Sequence, residues 1–211
     1  MTFTIYNGTK DTQLYALPAF SKAEVSGFID KKKDEYGILI GRFQPFHIAH
    51  EAIIHEIIAD GRIPVVIVGG YGKNDSRHPL SHSQVVECIR KVFPDIVITS
   101  LEDSNISYDE WYGRLRLILD RFDNYTIYIN DKYQDKTKFE YKGIEISGWY
   151  TDIFRLEGVN IKEVTYPKAL FGDYKVAGFI HSSNIRKDIT TNKTYLDGRV
   201  YNYLTKELGW K

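Results

Sequence analysis

The chain has 211 residues, 43% hydrophobic and 27% charged, a balance that permits a sizeable buried core and excludes disorder throughout. Lys plus Arg (28) equals Asp plus Glu (28), which excludes a general attraction to a nucleic-acid backbone or an anionic membrane; a local cluster of positive charge around a small anion remains open. With Cys88 as the one cysteine, no disulfide framework or cysteine-based metal site can form within the chain. Residues 1–10 lack a secretory start and no run reaches membrane-spanning length, so a cytoplasmic protein is expected.

Residues 1–35 mix polar and aromatic residues without a sustained period and end in Lys31, Lys32, Lys33, Asp34 and Glu35. An N-terminal extension and linker is expected there, its charge run a solvated turn, ahead of one domain over 36–211. Residues 36–40 form a short apolar run closing on Gly41, as in a strand buried on both faces of a parallel sheet. A helix over 47–59 follows from the spacing of Ile48, Ala52, Ile53, Ile57 and Ile58. Residues 64–68 predict a second buried strand ending in Gly69-Gly70, and 81–93 a second helix with Ser81 as its N-cap. Cys88 falls among Val85, Val86, Ile89 and Val92 on that helix, the place of a packed thiol rather than a reactive one.

Further strands are expected at 96–99, 126–129 and 159–164, with a helix over 108–122, another opening at 183–189 and an amphipathic helix over 199–208. Residues 130–148, polar and rich in lysine and aromatics, support no assignment; an excursion over the site and a surface loop both fit. Strands alternating with helices predict an α/β fold with a doubly wound parallel sheet, whose ligands bind beyond the carboxyl ends of the strands.

The segment Gly41-Arg42-Phe43-Gln44-Pro45-Phe46-His47-Ile48-Ala49-His50 lies between the first strand and the first helix, at that ligand-binding edge. His47 and His50 stand three apart at the helix start, so both rings can face one side and reinforce the partial positive charge of the exposed amides on a bound phosphate. The competing reading, a metal pair, lacks a nearby cysteine or a further ligand at a matching spacing. His55, beyond the first turn, reads as an ordinary helix residue.

This string resembles the G-R-F-Q-P-F-H-x-G-H signature of the nicotinamide-mononucleotide adenylyltransferase family, in its archaeal and Nudix-fused bacterial and phage branch. Ala49 replaces the usual glycine. A second string, Ile180-His181-Ser182-Ser183-Asn184-Ile185-Arg186, resembles the family's I-S-S-T-x-I-R, with His181 as a departure. Read alone, Ser183 is a helix cap and Arg186 a surface charge; beside the first signature they read as a cradle for the β- and γ-phosphates. Two weaker resemblances concern the second substrate. Asp75-Ser76-Arg77-His78-Pro79-Leu80-Ser81 is similar to the family's loop whose arginine contacts the mononucleotide phosphate. Asp103 and Trp111 are similar to the acidic residue and tryptophan that frame the nicotinamide, although Ile106, Ser107 and Tyr108 depart from the usual pattern and a core position for Trp111 fits the helical spacing equally well.

The resemblance implies a Rossmann-like nucleotidyltransferase that joins the adenylyl group of ATP to nicotinamide mononucleotide, giving NAD and pyrophosphate. It implies catalytic roles for Arg42, His47, His50 and Arg186, and ATP contacts from Gly41, Arg42, Phe43, His47, His50, Ser182, Ser183 and Arg186. Gly69, Gly70, Arg77, Asp103 and Trp111 would hold the mononucleotide. Mg²⁺ bridging ATP phosphates is the expected cofactor, with no dedicated metal ligands on the protein. No Nudix-type string occurs in the chain, so no such hydrolase activity is expected of it. The expected partners are ATP and nicotinamide mononucleotide, without nucleic acid or membrane; a homo-oligomer is compatible with the sequence. Alternatives are another phosphorylated acceptor (phosphopantetheine, FMN or nicotinate mononucleotide) and a non-catalytic adenine-nucleotide sensor.

Overall fold

The apolar runs pair into a five-stranded sheet in which β1 (Tyr36–Gly41) is central. The computed structural model describes residues 35–71, 75–103, 106–130, 137–148, 151–164, 180 and 182–211. The expected extension, with Lys31 to Lys33, lies outside them except for Glu35. Beside β1 run β2 (Ile63–Tyr71) and, beyond it, β3 (Val97–Glu102); on the other side run β4 (Tyr125–Asn130) and β7 (Ile161–Val164). The order β3-β2-β1-β4-β7 is parallel at every pairing, with Ile38 opposite Val65 and Ile127. The chain reverses its direction of winding between β1 and β4, so a crevice opens there at the carboxyl ends, where sheets of this kind take their ligands.

Strand side chains alternate between two cores, the reason each central strand is apolar throughout. Leu39, Val66, Val68 and Tyr128 pack on one face with α1 (Ile48–Ala59), α2 (His82–Val92) and α6 (Gly198–Asn202). Ile38, Val65, Ile67 and Ile127 pack on the other with α3 (Tyr108–Leu119) and α4 (Thr151–Leu156). Helices cover both faces, so the fold is the expected Rossmann-like doubly wound α/β sheet. Cys88 is buried in the first core, and burial pushes its thiol up to about 12, as expected of a packed, unreactive group.

Capping fixes the helix starts that point at the crevice. Ser81 Oγ accepts from Gln84 N (3.3 Å) while Gln84 Oε1 accepts from Ser81 N (2.8 Å), a reciprocal pair that starts α2 one residue later than the pattern suggests. Residues 130–148, left unassigned by the sequence, contain an antiparallel hairpin of β5 (Thr137–Tyr141) and β6 (Ile144–Gly148). Its turn residues Lys142 (φ 49°) and Gly143 (φ 71°) are both left-handed, as a two-residue hairpin loop requires, and lysine there hides the turn from a sequence reader. Phe139 and Tyr141 anchor the hairpin in the second core. The last expected helix divides into α6 and a wider π-helical turn, Tyr203–Glu207; α5 (Ser182–Lys187) is the other C-terminal helix. No helix among the described residues is long and apolar enough to cross a membrane.

Candidate active site

In the turn leaving β1, Phe43 takes a left-handed conformation (φ 49°), and the Gln44–Pro45 peptide is cis. The turn drives the Phe43 ring beneath Gly41, where a Cβ would stand 2.9 Å from Phe43 Cζ; glycine is the residue that leaves room for it. Phe43 and Phe46 are buried, and both rings pack against His50, at centroid distances of 4.9 and 5.6 Å. The side chain of Phe43 therefore supports the site from within the core. Ala49 is buried in the same core, so its methyl is absorbed by packing.

His47, 4% exposed, is the N-cap of α1 and stacks on His50 at 3.7 Å between ring centroids. His47 N donates to His50 Nδ1 (3.3 Å), which assigns the His50 proton to Nε2. Burial pulls His50 down to about 3, so near neutral pH it is uncharged. His50 therefore offers a neutral N–H rather than a full positive charge, because a buried imidazolium would lack solvation.

A second cluster forms where β2 ends. Gly69 and Gly70, expected to follow the strand, lie within it at a register shift between Val68 and Tyr71. Gly70 (φ +78°) donates from its N–H to Asp103 Oδ1 at 2.7 Å, and Arg42 Nη2 lies 3.6 Å from Asp103 Oδ2. A Cβ on Gly69 would stand 3.4 Å from the same carboxylate, and one on Gly70 3.2 Å from His78 Cδ2. Arg42, Gly69, Gly70 and Asp103 are thereby brought together, with the Arg42 side chain half exposed at 52% and able to reach a ligand.

His78 went unremarked in the sequence, yet it is 4% exposed and its Nδ1 lies 2.8 Å from Asp75 Oδ1. The same oxygen accepts from Arg77 N (2.7 Å) and His78 N (2.9 Å), so one carboxylate organises the loop that presents Arg77 to solvent. Gln44 is likewise buried, bonded through its amide to Leu80 N and O. The signal that could have found Gln44 is a polar side chain inside the apolar run Phe43-Gln44-Pro45-Phe46, since such a group persists in a core only when bonded; His78 stands among polar residues, and its burial carries no such signal in the sequence.

The C-terminal motif docks onto the first. Arg186 Nη1 donates to Gln44 O at 2.6 Å, and Ser182 Oγ to Pro45 O at 3.3 Å; Ile185 beneath them is fully buried. Burial lowers the proton affinity of Arg186; nearby Asp75 opposes this shift and nearby Arg77 adds to it. Two guanidinium groups close enough to feel each other make a place where an anion is favoured. Ser183 is exposed on α5, and His181 lies outside the described residues. Trp111 is half-buried against the second core, its ring 6.0 Å from Phe154. His55 is exposed on α1, its ring edge-on to Phe93, as its position suggested. Among the described residues, no group of three or more His, Cys, Asp or Glu side chains is placed to hold a metal ion.

No family model matches the chain. It is 29% identical over 135 residues to the nicotinamide-nucleotide adenylyltransferase of Halorubrum lacusprofundi, an alignment covering 60% of this chain and 73% of that one. Among solved structures it is similar to a bifunctional NMN adenylyltransferase/ADP ribose pyrophosphatase from Francisella tularensis, with a TM-score of 0.61, 19% identity and 84% of this chain covered. It is also similar to NadR protein in complex with NR, with a TM-score of 0.54, 19% identity and 81% of this chain covered. The chain spans 50% of the first structure's length and 44% of the second's. At these identities the solved structures establish the fold.

Proposed function

We infer that this chain belongs to the nicotinamide-mononucleotide adenylyltransferase family and transfers the adenylyl group of ATP to nicotinamide mononucleotide, giving NAD and pyrophosphate. The observation that carries the reading is the meeting of two motifs far apart in sequence: Arg186 Nη1 reaches Gln44 O at 2.6 Å, beside the helix start that holds His47 and His50. Only the fold joins them, and together they supply donors to a triphosphate from two sides. The named relative from Halorubrum lacusprofundi supports the same reaction.

The mononucleotide's 5′-phosphate oxygen attacks the α-phosphorus in line; the new P–O bond forms as the bond to the pyrophosphate oxygen breaks. That phosphate is already ionised near neutral pH, so no general base is needed. Catalysis is then positioning and neutralisation of charge. His50 Nε2–H, the first-turn amides of α1, Ser182, Ser183 and Arg186 hold the triphosphate. Arg42, tethered to Asp103, steadies the bridging region, while Arg77 holds the attacking phosphate on the Gly69-Gly70 side. Trp111 stands as a wall for the nicotinamide ring. Mg²⁺ would be held chiefly by triphosphate oxygens and would supply screening of the triphosphate charge.

The test is product analysis of purified protein with ATP, Mg²⁺ and a panel of mononucleotides. NAD and pyrophosphate are expected with nicotinamide mononucleotide. Preferred turnover of the acidic mononucleotide or another phosphorylated acceptor would redirect the substrate, and no product anywhere in the panel would leave a nucleotide sensor.

A further inference from the structure

The side-chain amide of Gln44 is spent on a single residue 36 positions away: Nε2 donates to Leu80 O at 2.9 Å and Oε1 accepts from Leu80 N at 3.0 Å. Gln44 is 6% exposed and Leu80 2%, so both bonds are shielded from water. The main-chain carbonyl of Gln44 accepts in turn from Arg186 Nη1. One residue thus bonds the loop that carries Arg77 through its side chain and the helix that carries Arg186 through its backbone.

We propose that Gln44 is a positioning residue that sets loop 75–80, the mononucleotide side of the site, against the triphosphate side. The inference rests on the adenylyltransferase reading. Loop 75–80 is stapled internally by Asp75, which accepts from Arg77 N, His78 N and His78 Nδ1. It therefore shifts as a unit, and Arg77 and His78 move together when the anchor at Leu80 is lost. An apolar residue of the same size would fill the space without the desolvation cost of an amide, but it would leave Leu80 N and O buried without these partners. The bond to Arg186 uses backbone and survives any side-chain change. Removal of the amide should therefore be felt by the mononucleotide far more than by ATP.

Gln44→Met keeps the volume and removes both bonds. Its mononucleotide KM should rise about tenfold or more, as the loss of two buried hydrogen bonds allows. Its ATP KM should stay within about twofold, because Arg186 keeps its acceptor. Gln44→Glu retains an acceptor for Leu80 N and loses the donor to Leu80 O. Its mononucleotide KM, taken relative to wild type at each pH, should fall back toward one as acidification protonates the introduced carboxyl and restores a donor. A merely structural role would lower the active fraction and the melting temperature with both KM values unmoved. If Gln44→Met does not fold, the Gln44→Glu series decides alone. Unchanged mononucleotide KM in the folded variants, equal rises for both substrates, or a Gln44→Glu ratio indifferent to pH would overturn the proposal. Calorimetric titration with nicotinamide mononucleotide runs beside the kinetics: a wild type that makes no NAD, with a Gln44-dependent Kd, sinks the reaction and leaves the anchor standing.

Discussion

His50 shows how much one environment changes a residue's chemistry. Packed between Phe43, Phe46 and His47, it is held neutral, so its contribution is a fixed N–H aimed from the helix start. Losing such a donor commonly costs about 10² in kcat. His50→Ala should show that loss in steady-state kinetics while His55→Ala, on the exposed side of α1, stays near wild type; equal losses would remove the histidine pair from the site. The two arginines make a second case. Arg77→Ala should raise the mononucleotide KM more than the ATP KM, and Arg186→Ala should do the reverse. Because Arg77 perturbs Arg186, the double variant should fall short of the product of the two effects, and strict additivity would place them in separate sites. Trp111→Ala should lower the melting temperature through its lost contact with Phe154 and also raise the mononucleotide KM, up to roughly 30-fold for a desolvated cation–π contact. A drop in melting temperature without a selective KM change would leave Trp111 as core alone.

The β1–α1 unit is the element on which the site is built, and its geometry depends on two glycines with different duties. A Cβ on Gly37 would stand 2.3 Å from Ile57 Cγ2, so strand and helix pack at a distance that glycine alone permits. Gly37→Ala should destabilise the protein by about 1–3 kcal/mol, as overpacking of a filled core does, with the surviving enzyme keeping its KM values. Gly41→Ala presses on Phe43, whose ring touches His50, so kcat should fall more than the melting temperature. Calorimetry and kinetics on the pair separate the duties; matching profiles would contradict them. The element-level reading from sequence held where apolar runs and caps were plain, as at β1 and Ser81. It stopped at residues 130–148, where the turn is made by a lysine in a left-handed conformation that lysine's own propensity does not announce.

At the scale of the whole fold, His50 and Glu51, among the described residues, tie stability to pH with opposite signs. His50 has its folded affinity for a proton lowered from 6.5 to about 3, so the unfolded chain binds the proton first and stability falls as pH drops below 6.5. Glu51 is raised from 4.5 to about 7, chiefly by burial and secondarily by Asp197, with Arg199 opposing. The folded chain therefore holds that proton first, and stability rises as pH drops from 7 to 4.5. The two effects offset each other between 4.5 and 6.5, and below 4.5 only the His50 effect of this pair continues, so the decline in stability should steepen there. His82, also lowered by burial, adds to the acid side. Glu51→Gln should remove the compensation and let the decline begin at 6.5, as read by denaturant melts from pH 4 to 8. A variant curve parallel to wild type would refute the assignment to Glu51.

Periodicity and composition by themselves determined the α/β class and the strand–helix alternation, because a strand buried on both faces must be apolar at every position and a helix packed on a sheet must repeat its apolar residues every third or fourth place. The two motif segments were also legible, but through their resemblance to the adenylyltransferase signatures: read by themselves, Ser183 is a helix cap and Arg186 a surface charge, and their phosphate roles belong to the proposed function. Tertiary structure decided what spacing does not encode: that Arg186 lands on the Gln44 carbonyl and Arg77 beside it, that His50 is neutral, and that Gln44 and His78 are buried and bonded. Each depends on which segments the sheet order brings together and how far they exclude water, and both are properties of the folded chain.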